Sequence, residues 1–276
     1  MSGRSPTPLG EGRPDAVRQR FLEYTRTTRD TETARALLTQ EWRYLGPLLG
    51  ERARPRVLDL ACGSGPHALA WAERGAEVVG VDFDRDLLVV ARERCEASAE
   101  SPRVPPRFAC GDATLLPLAS ARFDVVFCNS LLEHVPAWES VVAEIARVLG
   151  PGGLAIVYTT NRACPLQQEV NHFPFYSWLP DPIQRRTLAW IMKHRPDLVN
   201  FTQFPAVNWF TFGGMRRAFE RHGLRPLDRV DIAARGASGT RGALLRAMSR
   251  WPLLKWPYYV RTIAMALYGV REGERV

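Results

Sequence analysis

The chain has 276 residues, 46% of them apolar, which is enough to bury a large core as one elaborated domain or as one domain with a lid. No run of 18 uninterrupted apolar residues occurs, and the first 14 residues, rich in Gly, Pro, Ser and Arg, lack the apolar centre of a signal peptide. A cytoplasmic protein with a disordered tail over residues 1–14 is therefore expected. The net charge of +8 comes from 37 basic residues spread along the chain rather than gathered in one block, so no nucleic-acid partner is expected. Cys62, Cys95, Cys110, Cys128 and Cys164 have neither metal-site spacing nor the density of a disulfide framework, and read as reduced core residues.

Residues 15–50 read as N-terminal helices. Val17, Phe21 and Leu22 share a face of the first, and Ala34, Leu37, Leu38, Trp42 and Leu45 a face of the second, which Asp30 or Thr31 can cap and Gly46-Pro47 should end. The next stretch, Arg56-Val57-Leu58-Asp59-Leu60-Ala61-Cys62-Gly63-Ser64-Gly65, is an apolar run that ends in an acid and then in glycines, ahead of a helical pattern from Pro66 to Gly75. Such a run suits a strand buried on both faces, followed by a tight turn that brings backbone close to a ligand. The helix that opens there points its first amide groups at the turn and favours negative charge.

A second strand, Glu77 to Val81, ends in Asp82, about 20 residues beyond the first, where an acid can take ribose hydroxyls. Asp84 can cap the following helix, whose Leu87, Leu88, Ala91 and Cys95 share a face, and residues 98–106 read as a loop. A third strand ends in Gly111-Asp112-Ala113 and a fourth in Phe123-Asp124-Val125-Val126-Phe127-Cys128-Asn129. Ser130-Leu131-Leu132-Glu133-His134-Val135 follows, then a helix bearing Trp138, Val141, Val142, Ile145, Val148 and Leu149. Gly150-Pro151-Gly152-Gly153 breaks that helix, and a fifth strand, Leu154 to Thr160, completes five alternations of strand and helix. The crossover rules turn these into a parallel sheet covered on both faces.

The order of these strand-end motifs over residues 56–160 resembles the class I S-adenosylmethionine-dependent methyltransferases. That family has a Rossmann-like α/β fold with a mostly parallel sheet whose last strand is antiparallel. Its first motif usually carries three glycines at alternate positions, and here Ala61 replaces the first. This variant opposes a dinucleotide site, where the glycines must admit a pyrophosphate. The resemblance implies S-adenosyl-L-methionine as cofactor, with residues 51–160 as the domain that binds it. Asp59, Ala61, Gly63 and Gly65 would hold its amino-acid end, Asp82 its ribose hydroxyls, Asp112 and Ala113 its adenine, and Asn129 its methionine part, with Phe83 a further cofactor contact.

Residues 161–212 contain ten of the 27 aromatic residues, without a clean period. In the resembling family an acceptor-binding lid is inserted after strand five, which puts Phe173, Tyr176, Trp178 and Trp209 forward as acceptor contacts, and a satellite core under a long loop is the competing reading. Residues 213–276 should complete the sheet: a helix from Gly213 to His222, a strand from Leu224 to Ile232, and an ambiguous tail. There Ile263 to Val270 could form the antiparallel strand. Alternatively, Arg246, Arg250, Lys255 and Arg261 beside Trp251, Leu253, Leu254, Trp256 and Tyr258 could form an amphipathic helix in peripheral contact with a membrane.

The function expected from this resemblance is methyl transfer to oxygen on a bulky small-molecule acceptor: a natural product, an isoprenoid or a glycosylated compound. Transfer to nitrogen or carbon of a small metabolite is the alternative within enzymes, and a non-catalytic cofactor-binding protein the alternative outside them. A hydroxyl acceptor benefits from a base, and His134, just beyond strand four, and His172, in the lid, are the candidates. The run Leu132-Glu133-His134-Val135 is similar to one in quinone-biosynthesis O-methyltransferases, where acids and the histidine can hold a divalent metal. Ser130 takes the place of one of those acids, and no metal is expected. His67, His194 and His222 read as surface. The sequence leaves the oligomeric state open.

Overall fold

The computed structural model describes residues 22–23, 25–26, 29–49, 54–98, 102–166, 170, 173–195, 198 and 206–273. The tail over 1–14, most of the first N-terminal helix, Tyr24, His172, Phe201 and Phe204 lie outside them.

Seven strands form one sheet in the order β3-β2-β1-β4-β5-β7-β6. They are β1 (Arg56–Leu60), β2 (Glu77–Asp82), β3 (Arg107–Cys110), β4 (Phe123–Asn129), β5 (Leu149–Thr160), β6 (Leu224–Leu227) and β7 (Ala264–Arg271). The pairs β1/β2, β2/β3, β1/β4 and β4/β5 are parallel, and β7 lies antiparallel to both β5 and β6. This is the expected Rossmann-like arrangement with an antiparallel last strand. Chain order reverses between β1 and β4, and at such a switch point the loops on either side diverge and leave a crevice beyond the strand ends.

The central strands bury side chains on both faces, which is why their sequences are almost continuously apolar. Leu58, Leu60, Val126 and Cys128 enter one core, together with Val141, Val142 and Ile145 of the helix Trp138–Val148. Val57, Val125 and Phe127 enter the other, with Trp71 of the helix Pro66–Glu73 and with Ala34, Leu38, Leu45 and Leu49 of the helix Arg29–Leu49. In chain order these helices are α1 (Arg29–Leu49), α2 (Pro66–Glu73), α3 (Arg85–Glu96) and α4 (Trp138–Val148); α5 (Asp181–His194), α6 (Phe212–Arg221), α7 (Arg229–Gly236), α8 (Gly239–Arg250) and α9 (Trp256–Arg261) follow. Buried Glu41 of α1 accepts from the Arg229 guanidinium and the Tyr268 hydroxyl, fastening α1 to α7 and β7.

Four boundaries differ from those read in the sequence. Helix α1 runs on past Gly46 to Leu49, because Leu45 and Leu49 are one turn apart on its buried side. Strand β5 starts at Leu149, five residues early, and takes up the glycine-rich run as an irregularity opposite Phe123–Val125. The strand from Leu224 stops at Leu227 rather than Ile232. Asp228 and Asp231 form a reciprocal capping box there, each side chain accepting from the other residue's amide, and this starts α7. The ambiguous tail divides into helix, turn and strand, with β7 occupying Ala264–Arg271. Among the described residues no helix is long and apolar enough to cross a membrane. Cys62, Cys128 and Cys164 are buried, whereas Cys110, expected in the core, is exposed.

Candidate cofactor and acceptor site

Asp59 is the fourth residue of β1, buried to 2% exposure. Its Oδ2 is shut off from water and has no hydrogen-bond partner among the described residues, and burial, with Asp82's charge adding to it, pushes the carboxyl up to about 7. A buried carboxylate oxygen without a donor is a costly arrangement that a cationic ligand would relieve.

The following loop is left-handed at three alternate positions, Ala61 (φ 58°), Gly63 (φ 53°) and Gly65 (φ 75°). The two glycines differ in what surrounds them. A Cβ at Gly65 would sit 2.9 Å from that of Ala91 on α3, so Gly65 is demanded by packing, whereas a Cβ at Gly63 would meet nothing within 4 Å and faces the crevice. Asp82, at the end of β2, holds this loop. Its Oδ2 accepts from the Gly63 amide at 2.9 Å and its Oδ1 from the Asp84 amide at 2.9 Å. The carboxylate keeps acceptor capacity for a hydroxyl donor. Phe83, 55% exposed, stands beside it as a flat apolar face.

The ends of the outer strands contribute less committed groups. Asp112 is exposed, and its Oδ1 accepts from both the amide and the hydroxyl of Thr114, at 2.8 and 2.7 Å, which is the local turn that an Asp favours without any ligand. Ala113 packs against the core, and Asn129 closes β4 half-buried. The register pairs Leu60 with Cys128, so the Ala61 loop and Asn129 lie side by side on adjacent strands.

After Asn129, Ser130 takes a left-handed turn (φ 54°) and the chain makes a short helical turn, Leu132–His134. His134 is half-buried at this edge. Glu133 beside it is buried to 2%. Its Oε2 accepts from the Thr159 hydroxyl at 2.7 Å, and burial pushes its carboxyl up to about 7. The turn is clamped from the far side by the segment entering α6. The amides of Val207 and Asn208 donate to the Glu133 carbonyl, the Asn208 side chain donates to the carbonyls of Leu132 and Val135, and the Thr160 hydroxyl donates to the Asn208 carbonyl. The sequence reading missed both groups. An acid inside the apolar run Leu131-Leu132-Glu133 hinted at the first, and nothing local hinted at Asn208, whose side-chain partners lie more than 70 residues away. Among the described residues no cluster of three or more His, Cys, Asp or Glu side chains is placed to hold a metal ion.

His67, expected at the surface, is instead half-buried at the start of α2. It packs 4.9 Å from the Phe127 ring and lines a small cavity under α1 with Leu38, Glu41 and Trp71; burial pushes its imidazole down to about 4. His222 is also half-buried, and His194 is exposed.

The aromatic segment after β5 divides in two. Tyr176 is fully buried with Val170 and Ile191 against Trp209, and its hydroxyl donates to the Gln184 carbonyl at 2.8 Å. Tyr176 belongs to a satellite core, and Trp209 packs against it half-buried. Phe173 and Trp178 remain on the surface, Trp178 half exposed with its indole NH on the Arg162 carbonyl at 2.9 Å. A separate hollow of about 400 Å³, lined by Arg56, Arg107 and Arg122, opens at the opposite edge of the strands, away from every group described above.

Sheet order and strand-end loops together define a Rossmann-like, class I methyltransferase fold. More particularly, residues 58–157 match the methyltransferase-domain family model. Over 106 residues the chain is 37% identical to a ubiquinone biosynthesis O-methyltransferase of Coxiella burnetii, covering 38% of this chain and 44% of that protein. Over 107 residues it is 42% identical to the protein of the same name from Idiomarina loihiensis, covering 39% and 43%. A demethylmenaquinone methyltransferase of Thermus thermophilus is 40% identical over 109 residues, covering 39% and 48%. The chain thus spans less than half the length of these relatives. An S-adenosylmethionine-dependent methyltransferase from Mesorhizobium loti shares the fold with a TM-score of 0.53 at 19% identity, covering 84% of this chain and 97% of that one. Phosphoethanolamine N-methyltransferase 2 of Haemonchus contortus, solved with S-adenosyl-L-methionine, shares it with a TM-score of 0.52 at 17% identity, covering 85% and 53%.

Proposed function

We propose that this protein transfers a methyl group from S-adenosylmethionine to a ring hydroxyl of a bulky apolar acceptor of the isoprenoid-quinone kind. The observation that carries the reading is the placement of two unlike groups on neighbouring strand ends. The unpartnered Asp59 oxygen and the Gly63 cradle lie on the β1 side, and the clamped His134 turn lies on the β4 side. The names of the sequence relatives supply the acceptor class.

The residues present fit the cofactor. Asp59 would meet its cationic amino-acid end, the α2 N-terminus its carboxylate, Asp82 its ribose hydroxyls and Phe83 its adenine face, with Asp112 and Ala113 at the base edge and Asn129 near the sulfur. When bound, it supplies an electrophilic methyl on a sulfonium, so the reaction is a single displacement. The protein's work is to align acceptor oxygen, methyl and sulfur and to exclude water. The Asn208 clamp fixes the His134 turn against the strand end. His134 takes the hydroxyl proton, and Phe173 and Trp178 offer apolar faces to the acceptor. His172 is the second proposed base.

The test is single-turnover methylation of a prenylated catechol at saturating cofactor. His134→Ala is expected to slow transfer by roughly 100-fold while S-adenosylhomocysteine affinity stays the same, and the wild-type rate should fall as the imidazole protonates. A variant that keeps the wild-type rate across pH removes the base and moves the reaction towards nitrogen or carbon acceptors.

A further inference from the structure

We infer that residues 241–261 form a docking surface for an anionic lipid bilayer. The polarity of this segment is inverted. Between Arg250 and Pro257 the one charged side chain, Lys255, points inwards, 2% exposed, with its ammonium 2.8 Å from Asp228 Oδ2 and also bonded to Asp231. The apolar side chains around it point outwards: Trp251 is 63% exposed, Leu253 87%, Leu254 47% and Trp256 56%, with Leu244 of α8 at 61%. Ser249 donates to the same Asp231 carboxylate, so the last turn of α8 and the turn after it are fastened to α7 by their polar groups. That anchorage leaves their apolar groups to the outside. Two tryptophans and three leucines displayed this way have no partner in the core that would repay their hydration.

Charge selects the occupant. Exposed Arg241, Arg246, Arg250 and Arg261 surround these side chains, and no acidic residue occurs between Asp231 and Glu272. Exposed tryptophans among leucines, bordered by arginines and free of acids, match the boundary between lipid headgroups and acyl chains, where indoles settle and anionic headgroups meet guanidinium groups. The surface also adjoins the crevice. Asn161, the residue after β5, donates from its side chain to the carbonyls of Tyr259 and Thr262, and β7 pairs its first residue, Ala264, with Thr160. A lipid-dissolved acceptor would therefore be presented at the edge of the sheet that carries the site. This consequence rests on the proposed acceptor class, and the docking surface itself does not.

The experiment is co-sedimentation of the whole chain, without cofactor, with phosphatidylcholine vesicles with and without phosphatidylglycerol. Binding is expected only when phosphatidylglycerol is present and should weaken at high salt. Trp251→Ser/Leu253→Ser/Trp256→Ser should lower it at least about tenfold with an unchanged melting temperature, because these side chains contribute little to the core. Arg241→Glu/Arg250→Glu should lower it as well. Equal partition onto neutral vesicles, or undiminished binding by either variant, overturns the proposal. So does light scattering that finds a dimer dispersed by the triple variant without vesicle affinity, since a second copy would then be the occupant. Because no methyl transfer is measured, failure here leaves the reaction assignment untouched, and loss of the reaction leaves this result untouched.

Discussion

Burying one carboxylate beside another raises the cost of ionising either unless a cation arrives, and Asp59, with Asp82 on the next strand, is in that position. The oxygen without a donor is an arrangement suited to a ligand rather than to the stability of the free protein. Asp59→Asn removes the ionisable group at nearly constant volume. It is expected to stabilise the free chain at pH 8 by on the order of 2 kcal/mol in urea unfolding and to weaken S-adenosylhomocysteine at least about tenfold in calorimetry. Equal stability with full affinity would return Asp59 to a structural role. Asp82 cannot be tested as cleanly by truncation, because the same carboxylate ties Gly63 to β2 and its loss also loosens the loop. At this scale the strand-end acids and the left-handed loop after β1 were legible, since an acid at a strand end followed by turn glycines is a local pattern. The contacts around the turn after β4 were not. Asn208 acts only on carbonyls brought to it by the fold, and Tyr176 and Trp209 look the same in sequence as the aromatics that stay exposed.

Elements with a strong period were legible, namely the central strands and α4, whereas β7 was one of two readings of an ambiguous tail. The boundaries that moved did so where a polar contact or a distant packing partner decided the matter. The capping box at Asp228 ended β6 although the following residues Val230 and Ile232 continue a strand-like alternation. That box does a second job, because its two carboxylates receive Lys255, with Arg216 at 2.8 Å from Asp231 on the outer side. Lys255→Met would leave Asp228, fully buried, facing an apolar side chain. The expected loss is about 3–5 kcal/mol of unfolding free energy, the range for breaking a buried pair from one side. Adding Asp228→Asn should recover part of it. A loss under about 1 kcal/mol would mean that the pair is solvated.

Over the whole molecule, the buried titratable groups set how the free protein responds to acid. Asp59 and Glu133 are pushed up to about 7, so the folded chain keeps two protons that the unfolded chain releases near pH 4; the stability this confers is full below that point and is lost as pH rises through about 7. His67, pushed down to about 4, acts in the opposite sense, favouring the folded state as pH rises from about 4 to 6.5. Asp231, held at about 2 by Lys255 and Ser249 against its burial, contributes stability above about pH 4 that disappears as pH falls through about 2. Asp82 and Asp30 are raised by burial as well, so the acids outweigh the one imidazole and the stability of the free protein should decline as pH rises between roughly 4.5 and 6.5. The double variant Asp59→Asn/Glu133→Gln removes two of these carboxyls, and the decline with pH should become shallower. Melting temperatures of the two proteins measured from pH 3 to 8 decide it, and parallel curves would mean that neither carboxyl is protonated in the folded chain.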